Sequence, residues 1–434
     1  MTIELHRNRV GHHYDMAVTH RESGSDREAI LAFESALQEA DQLYARIAYE
    51  LGLLFNRQGG HRKALRALER SLARVPNDGI CLYEAGVALN RLERFEEAVE
   101  KLEAALEENG EEAQVYREIG YAYRHRGWYD EALHALERAI ELDSDDALAR
   151  HDAALVLDAL NRQNEAIERL EEALTLRDRS GDSLLEACWR DELGALYEEA
   201  GRVEEAVEQC NLAVQLDSTH PGYNHHLGLV YRRLKGGEEA IRYLRRAVEL
   251  SPNEDRWHAD LAGTLNSLEE HDQALMAYRR AAEINPEEAD YFYGAGCALT
   301  HLGRYEEAME ALRKADSLQP SHAPTHHQMG LVHEAEGRLE EALEEYELAC
   351  SLAPDQASYY RDLGVAYGHL GQQDQALGTL RKAVQLDDAP MVTGDLYGQQ
   401  GLVYENVGAY DDALAAYGKA AELKPETKGE YQLR

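Results

Sequence analysis

The chain has 434 residues, 82 of them Asp or Glu against 45 Lys or Arg, a formal net charge of -37 at pH 7. That balance argues against nucleic acid as a partner, because phosphates need clustered Lys and Arg, and 44% hydrophobic content is enough for a packed protein, so the acidity does not mean disorder. No uninterrupted apolar run exceeds five residues, as in Ala153–Leu157, so no membrane insertion is expected.

In chain order, a nine-residue lead-in (1–9) is followed by a pattern that repeats every 34 residues. Its first marker is a small residue, designated repeat position 8. Ala17 opens the series and Gly52, Gly86, Gly120 and Ala154 continue it. These define five repeats over 10–180, with Tyr44 as an added residue between the first two. A six-residue linker, Gly181–Glu186, interrupts the period. Six repeats over 187–390 then carry Gly194, Gly228, Ala262, Gly296, Gly330 and Gly364 at the same position. A three-residue linker (391–393), a twelfth repeat (394–427) containing Gly401, and a tail (428–434) complete the chain. Twelve repeats leave no segment for a separate catalytic domain.

The residue types at each position have physical reasons. Alanine stands at position 20 in every repeat, from Ala29 to Ala413, and at position 27 in all but one, which has Ser71. Small residues at positions 8, 20 and 27 allow close helix approach, and a larger side chain there would overpack by roughly 1–3 kcal/mol. Glycine at position 15, as in Gly59, Gly127 and Gly303, suits the left-handed residue that ends a first helix. Acid pairs at positions 18 and 19, such as Glu96-Glu97 and Glu204-Glu205, fit the positive end of a second helix. Proline at position 32 (Pro76, Pro252, Pro286, Pro320, Pro354, Pro425) stops that helix. Each hairpin has two apolar faces and buries them only by stacking on its neighbours.

This pattern resembles the tetratricopeptide repeat family, and the segment LGLVYRRLKGGEEAIRYLRRAVELSP at 227–252 follows the family consensus closely. The resemblance covers nearly the whole chain. It implies an all-α fold, a right-handed superhelical α-solenoid of tandem helix-turn-helix hairpins. Arg150, Arg190 and Asn224 replace the family's aromatic at position 4, and Gln400 replaces its leucine in the last repeat. These departures flank or follow the two linkers and are expected to mark a bend or a softer joint.

The resemblance also implies that positions 2, 5, 6, 9, 12 and 13 of the first helices line a concave groove. Spacing by three or four puts most of them on one helical stripe. In repeats 2–4 those positions carry Tyr49, Asn56, Arg57, Tyr83, Asn90, Arg91, Arg117, Tyr121 and Arg124. Rings offer buried area, amides both donate and accept, and guanidinium groups hold carboxylates, a combination suited to an extended peptide. Position 6 is acidic in the first six repeats, from Asp15 through Glu50, Glu84, Glu118 and Asp152 to Glu192. The same residues could therefore form a solvated salt-bridge ladder, such as Arg46 with Glu50, and the two roles can coexist. The carboxylate clamp of the family's chaperone-binding members needs Lys at 5, Asn at 9 and Arg at 6, and no repeat supplies them.

Other chemistry is not expected. His322, His326 and His333 have spacings that could approach one helix face, but Pro324 separates the first two, and packing explains the others, so no metal is assigned. His225-His226 reads as groove surface. Cys81, Cys188, Cys210, Cys297 and Cys350 form no C-x-x-C pair, and MTIELHRNRV has no signal-peptide core, which together favour reduced thiols in a cytoplasmic setting. No nucleophile elbow, phosphate loop, zinc-protease or dinucleotide motif is present, so neither enzyme activity nor a cofactor is expected. The expected function is a non-enzymatic adaptor or scaffold that binds a peptide or protein segment in the groove. The alternative is a structural subunit that assembles through its end faces, with a homo-oligomer through the C-terminal end as one form. The last second helix presents Leu414, Tyr417, Ala421 and Leu423, and the tail is too short to cover them.

Overall fold

The structure, a computed structural model, describes residues 2–23, 25–177, 183–386, 390–406 and 409–423, and every regular element among them is an α-helix. Two compact units divide the chain, Met1–Asp217 and Ser218–Arg434. The first unit holds α1 (Thr2–Glu22), α2 (Asp26–Arg57), α3 (His61–Leu72), α4 (Gly79–Arg91), α5 (Phe95–Asn109), α6 (Ala113–His125), α7 (Tyr129–Leu142), α8 (Ala147–Ala159), α9 (Gln163–Arg177), α10 (Ser183–Glu199) and α11 (Val203–Leu216). The second holds α12 (Pro221–Arg233), α13 (Gly237–Leu250), α14 (Asp255–Ser267), α15 (His271–Ile284), α16 (Ala289–His301), α17 (Tyr305–Leu318), α18 (Ala323–Ala335), α19 (Leu339–Leu352), α20 (Ala357–His369), α21 (Gln373–Leu386), α22 (Pro390–Asn406) and α23 (Tyr410–Leu423). Within each unit, hairpins stack on their sequence neighbours.

The hairpins close because position 8 is small. The side chain at position 24 fills the space, as Leu102 does over Gly86, Leu312 over Gly296 and Tyr346 over Gly330. A Cβ on any of these glycines would lie 2.4–2.7 Å from that side chain. Alanines at positions 20 and 27, for example Ala98, Ala132 and Ala308, are wholly buried. Where Ser71 replaces alanine, its buried hydroxyl donates to Ala45 O at 2.8 Å, so the polar group costs little. The turn after each first helix needs a left-handed residue. Gly59, Gly127, Gly201, Gly303, Gly337 and Gly371 supply it at φ of 70–76°, and Glu93, Asn161, Lys235 and Glu269 are held in the same conformation at 58–62°. Gly24 and Gly408 lie outside the described residues.

Helix α2 differs from every other element. It runs 32 residues, continuing through Tyr44 where an added residue between two repeats was expected. No Gly or Pro occurs from Asp26 to Leu51, so nothing interrupts the backbone ladder. The lead-in is likewise helical from Thr2, Ser183–Glu186 of the first linker form the start of α10, and 391–393 lie within α22. Gly181, Asp182 and the tail lie outside the described residues. The polar residues at position 4 have local partners: Arg150 Nε donates to Glu172 at 3.2 Å, Arg190 Nε to Glu186 at 2.7 Å, and Asn224 Nδ2 to His220 O at 2.9 Å. Gln400 is buried.

Candidate functional site

First helices of successive repeats touch one another through the residues at positions 5, 6, 9 and 12, which therefore share one face. In the first unit, Asn56 Nδ2 donates to Glu84 O at 3.2 Å and to Glu84 Oε2 at 2.9 Å. One repeat later Asn90 Nδ2 donates to Glu118 O and Oε2, both at 2.9 Å, and is buried. The amides at position 12 thus clamp the acid at position 6 of the following helix. Arg124 continues the row, 3.7 Å from Asp152, whose carboxyl is pushed above the usual aspartate range by burial. Arg91 lies 3.4 Å from Glu118, Arg46 3.0 Å from Glu50, and Arg117 2.8 Å from Asp146, which itself caps α8 by accepting from Ala149 N at 3.0 Å.

Between these ion pairs sit the rings. The guanidiniums of Arg91 and Arg124 lie 4.9 and 5.6 Å from the Tyr121 ring centroid, distances suited to cation–π attraction. Arg46 approaches Tyr49 at 5.6 Å. Tyr49 and Tyr83 are half-buried, and burial raises both phenols, Tyr83 to about 12, so they are neutral donors at pH 7. Arg57 is exposed. Two buried polar atoms in the row have no protein partner, Asn90 Oδ1 and Arg124 Nε. The amides of Asn56 and Asn90 are committed to neighbouring helices.

A second device recurs that the sequence reading did not assign. A histidine at position 5 donates from Nε2 to the position-6 carboxylate of the next repeat and stacks on the aromatic at position 3 beside it. His151 Nε2 is 2.6 Å from Glu192 and its ring stacks on Trp189 at 4.6 Å. In the second unit His225 pairs with Asp260 at 2.9 Å and Trp257 at 4.8 Å, and His327 with Asp362 at 2.8 Å and Tyr359 at 4.5 Å. His225 is thus a junction residue, although its sequence reading was groove surface. The signal was available as His at 5 followed, in the next repeat, by an aromatic at 3 and an acid at 6. Of the histidines weighed as metal ligands, His326 spends its two ring nitrogens on Glu345 at 2.8 Å and Pro320 O at 3.1 Å, and His333 is buried.

Within the second unit a recess opens on the first-helix face of that unit. Its volume is about 640 Å³, and Arg232, Arg256, Asp260, Asn266, Tyr278 and Tyr293 line it together with Ala259, Gly263 and Gly294. Small residues at positions 5, 9 and 6 remove the side chains that fill the row elsewhere. The Tyr278 ring takes part of that space: a Cβ on Gly294 would lie 2.4 Å from it, whereas one on Gly263 would meet only the hydroxyl at 3.6 Å. Burial raises the Tyr278 phenol to about 12 and the Cys297 thiol to about 11, so neither is ionised at neutral pH. The thiols of Cys81 and Cys350 are raised to about 11 and 12 for the same reason. None of the three is an activated nucleophile.

A family model described as the C-terminal domain of cilia and flagella-associated protein 70 matches residues 201–433, more than half of the chain, and a tetratricopeptide repeat model matches 14–79, 49–113 and 83–147. The chain belongs to the tetratricopeptide repeat family. No curated protein matches it significantly. Among solved structures it is similar to YrrB, described as a tetratricopeptide repeat protein with an unusual peptide-binding site, at 27% identity over 44% of this chain and 96% of that one, with a TM-score of 0.40. It is similar to the Cut9–Hcn1 hetero-tetramer of the APC/C at 17% identity over 96% and 94%, with a TM-score of 0.45. It is similar to yeast Tom70 at 15% identity over 90% and 94%, with a TM-score of 0.44.

Tetratricopeptide repeats support a protein-interaction scaffold, and the first-helix surfaces of the two units differ in kind. Repeats 2–4 present rings and arginines over a closed ladder of ion pairs. Repeats 8 and 9 present a recess. No helix among the described residues is long and apolar enough to cross a membrane.

Proposed function

We propose that the chain is a non-enzymatic scaffold that holds a peptide or protein segment along its first-helix groove, in a reducing, cytoplasmic setting and without nucleic acid or cofactor. The recess at repeats 8 and 9 carries this reading, because it combines shape with chemistry. Arg256 is exposed beside it, and the Tyr278 hydroxyl reaches toward Gly263, so a bulky side chain and a carboxylate or backbone carbonyl of the bound segment have partners there. In the first unit, Tyr49, Arg57, Tyr83, Arg91, Arg117, Tyr121 and Arg124 offer a contact surface of their own over repeats 2–4, while Asn56 and Asn90 tie together the helices that carry them. A preformed surface of this kind leaves the ordering cost of binding with the partner.

The test is affinity capture from the source cells with the full chain, followed by mass spectrometry. Gly263→Leu fills the recess with little strain on Tyr278, and a combined Tyr49→Ala, Tyr83→Ala, Arg57→Ala, Arg124→Ala variant strips the ladder face. Loss of the same captured protein in either variant, with helicity intact, supports the proposal. Unchanged capture by both overturns it.

A further inference from the structure

Helix α2 exposes a face that the later repeats cover, burying positions 7 and 10 throughout and position 3 wholly or in part. In the second repeat, positions 3, 7 and 10 are Ile47, Leu51 and Leu54, exposed to 43, 46 and 53%. In the next repeat the same positions are Cys81, Ala85 and Ala88, each wholly buried, and at the far end of the second unit Leu363 and Ala366 are 6 and 0% exposed. Those positions receive the second helix of the preceding repeat. Here that helix is Asp26–Gln42 of α2 itself, and because α2 runs on unbroken it cannot fold back onto its own continuation. Its matching apolar residue, Leu37, is exposed to 66%, and Tyr44 to 46%. A cavity of about 350 Å³ lined by Leu37, Asp41, Arg74 and Val75 lies alongside. Both halves of one inter-repeat junction are therefore present and unmade.

Helical geometry puts the two halves on one stripe. Leu37, Tyr44, Ile47, Leu51 and Leu54 are spaced by seven, three, four and three, a span of about 25 Å at 1.5 Å per residue. We propose that this stripe pairs with the same stripe of a second copy of the chain, the two α2 helices running antiparallel about a twofold axis near the middle of the helix. Residues 26–43 of each copy then take the place on the other's 44–57 that a second helix takes on the next first helix elsewhere in the chain, and the junction forms twice. Such an interface is isologous and closes at two copies. Charge selects the antiparallel arrangement: 26–43 carries five acids and one arginine, whereas 44–57 carries two arginines and one glutamate. Parallel pairing would set the acidic halves against each other.

Light scattering on the full chain over a wide dilution series tests this. The wild type is expected to show twice the chain mass, falling to one chain on dilution. Leu51→Glu with Leu54→Glu in one variant, and Leu37→Glu in another, are each expected to give one chain mass throughout, with unchanged helicity because all three side chains are exposed in the single chain. Two variants on opposite halves keep the test decisive if one misfolds. A wild type of one chain mass at every concentration overturns the proposal, as closure of α2 onto itself would produce. A dimer that survives both variants also overturns it and moves self-association elsewhere, with exposed Leu414 on α23 the next place to probe.

Discussion

Asn90→Ala separates a structural amide from a ligand contact. Asn90 is 1% exposed and donates to Glu118 O and Oε2, both at 2.9 Å. Substitution deletes one neutral bond, worth about 1 kcal/mol, and one to a charged acceptor, worth about 1.5–3 kcal/mol. Glu118, itself buried, keeps the longer contact of 3.4 Å from Arg91. Against this, Asn90 Oδ1 has no partner, so its removal returns about 1 kcal/mol. The net cost is about 2 kcal/mol. In a repeat array that loss falls on one junction, and at tenfold per 1.4 kcal/mol it raises local opening roughly 30-fold. Native-state hydrogen exchange of the full chain should show this in α4 and α6. Asn56→Ala removes equivalent bonds at a partly exposed site, where water substitutes, and should cost about 0.5–1 kcal/mol. Exchange within threefold of wild type in Asn90→Ala, or a larger effect from Asn56→Ala, would refute the clamp.

Two glycines should respond in opposite directions to alanine. Gly296→Ala drives a methyl to 2.7 Å from Leu312 and should cost about 1–3 kcal/mol, while Gly263→Ala meets only the Tyr278 hydroxyl at 3.6 Å inside α14 and should gain up to about 1 kcal/mol, both read by denaturant titration. Lys235→Gly and Glu269→Gly relieve left-handed strain at φ of 61 and 62° and should each raise stability by about 0.5–1 kcal/mol in thermal unfolding. Burial raises the Asp362 carboxyl, but His327 and Arg361 outweigh it and hold the group below the usual aspartate range. Its contribution is therefore present above the ordinary value of about 4 and is lost as pH falls through the depressed folded value. Asp362→Asn should be less stable than wild type at pH 6, and the difference should shrink in melts taken toward pH 2.

Hairpin placement was legible because it depends on local sterics: Gly86, Ala98 and Ala105 report close approach wherever they stand, and the left-handed turn was marked by glycine at six described repeats. The four turns without glycine adopt the same conformation because packing of the two helices dictates it. The continuity of α2 was written in the absence of Gly and Pro around Tyr44, but the period of the repeat implied a break there. The sequence expected one role for the nine groove residues, and the commitment of Asn56 and Asn90 to neighbouring helices was not legible in it. Whether Asn90 faces a ligand or Glu118 depends on the offset between neighbouring helices, which no single repeat encodes. The recess escaped notice because Ala259, Gly263 and Gly294 signal it by lacking side chains, and its floor, Tyr278, comes from a different helix.

The central claim is that the first-helix face holds the partner, and oxidative footprinting of the captured complex against the free chain tests it most directly. Tyr293 and Tyr278 at the recess and Tyr83 and Tyr121 on the ladder should become protected, while Met276, 65% exposed on α15, should react as before. Protection at Met276 with those tyrosines unchanged would contradict the account.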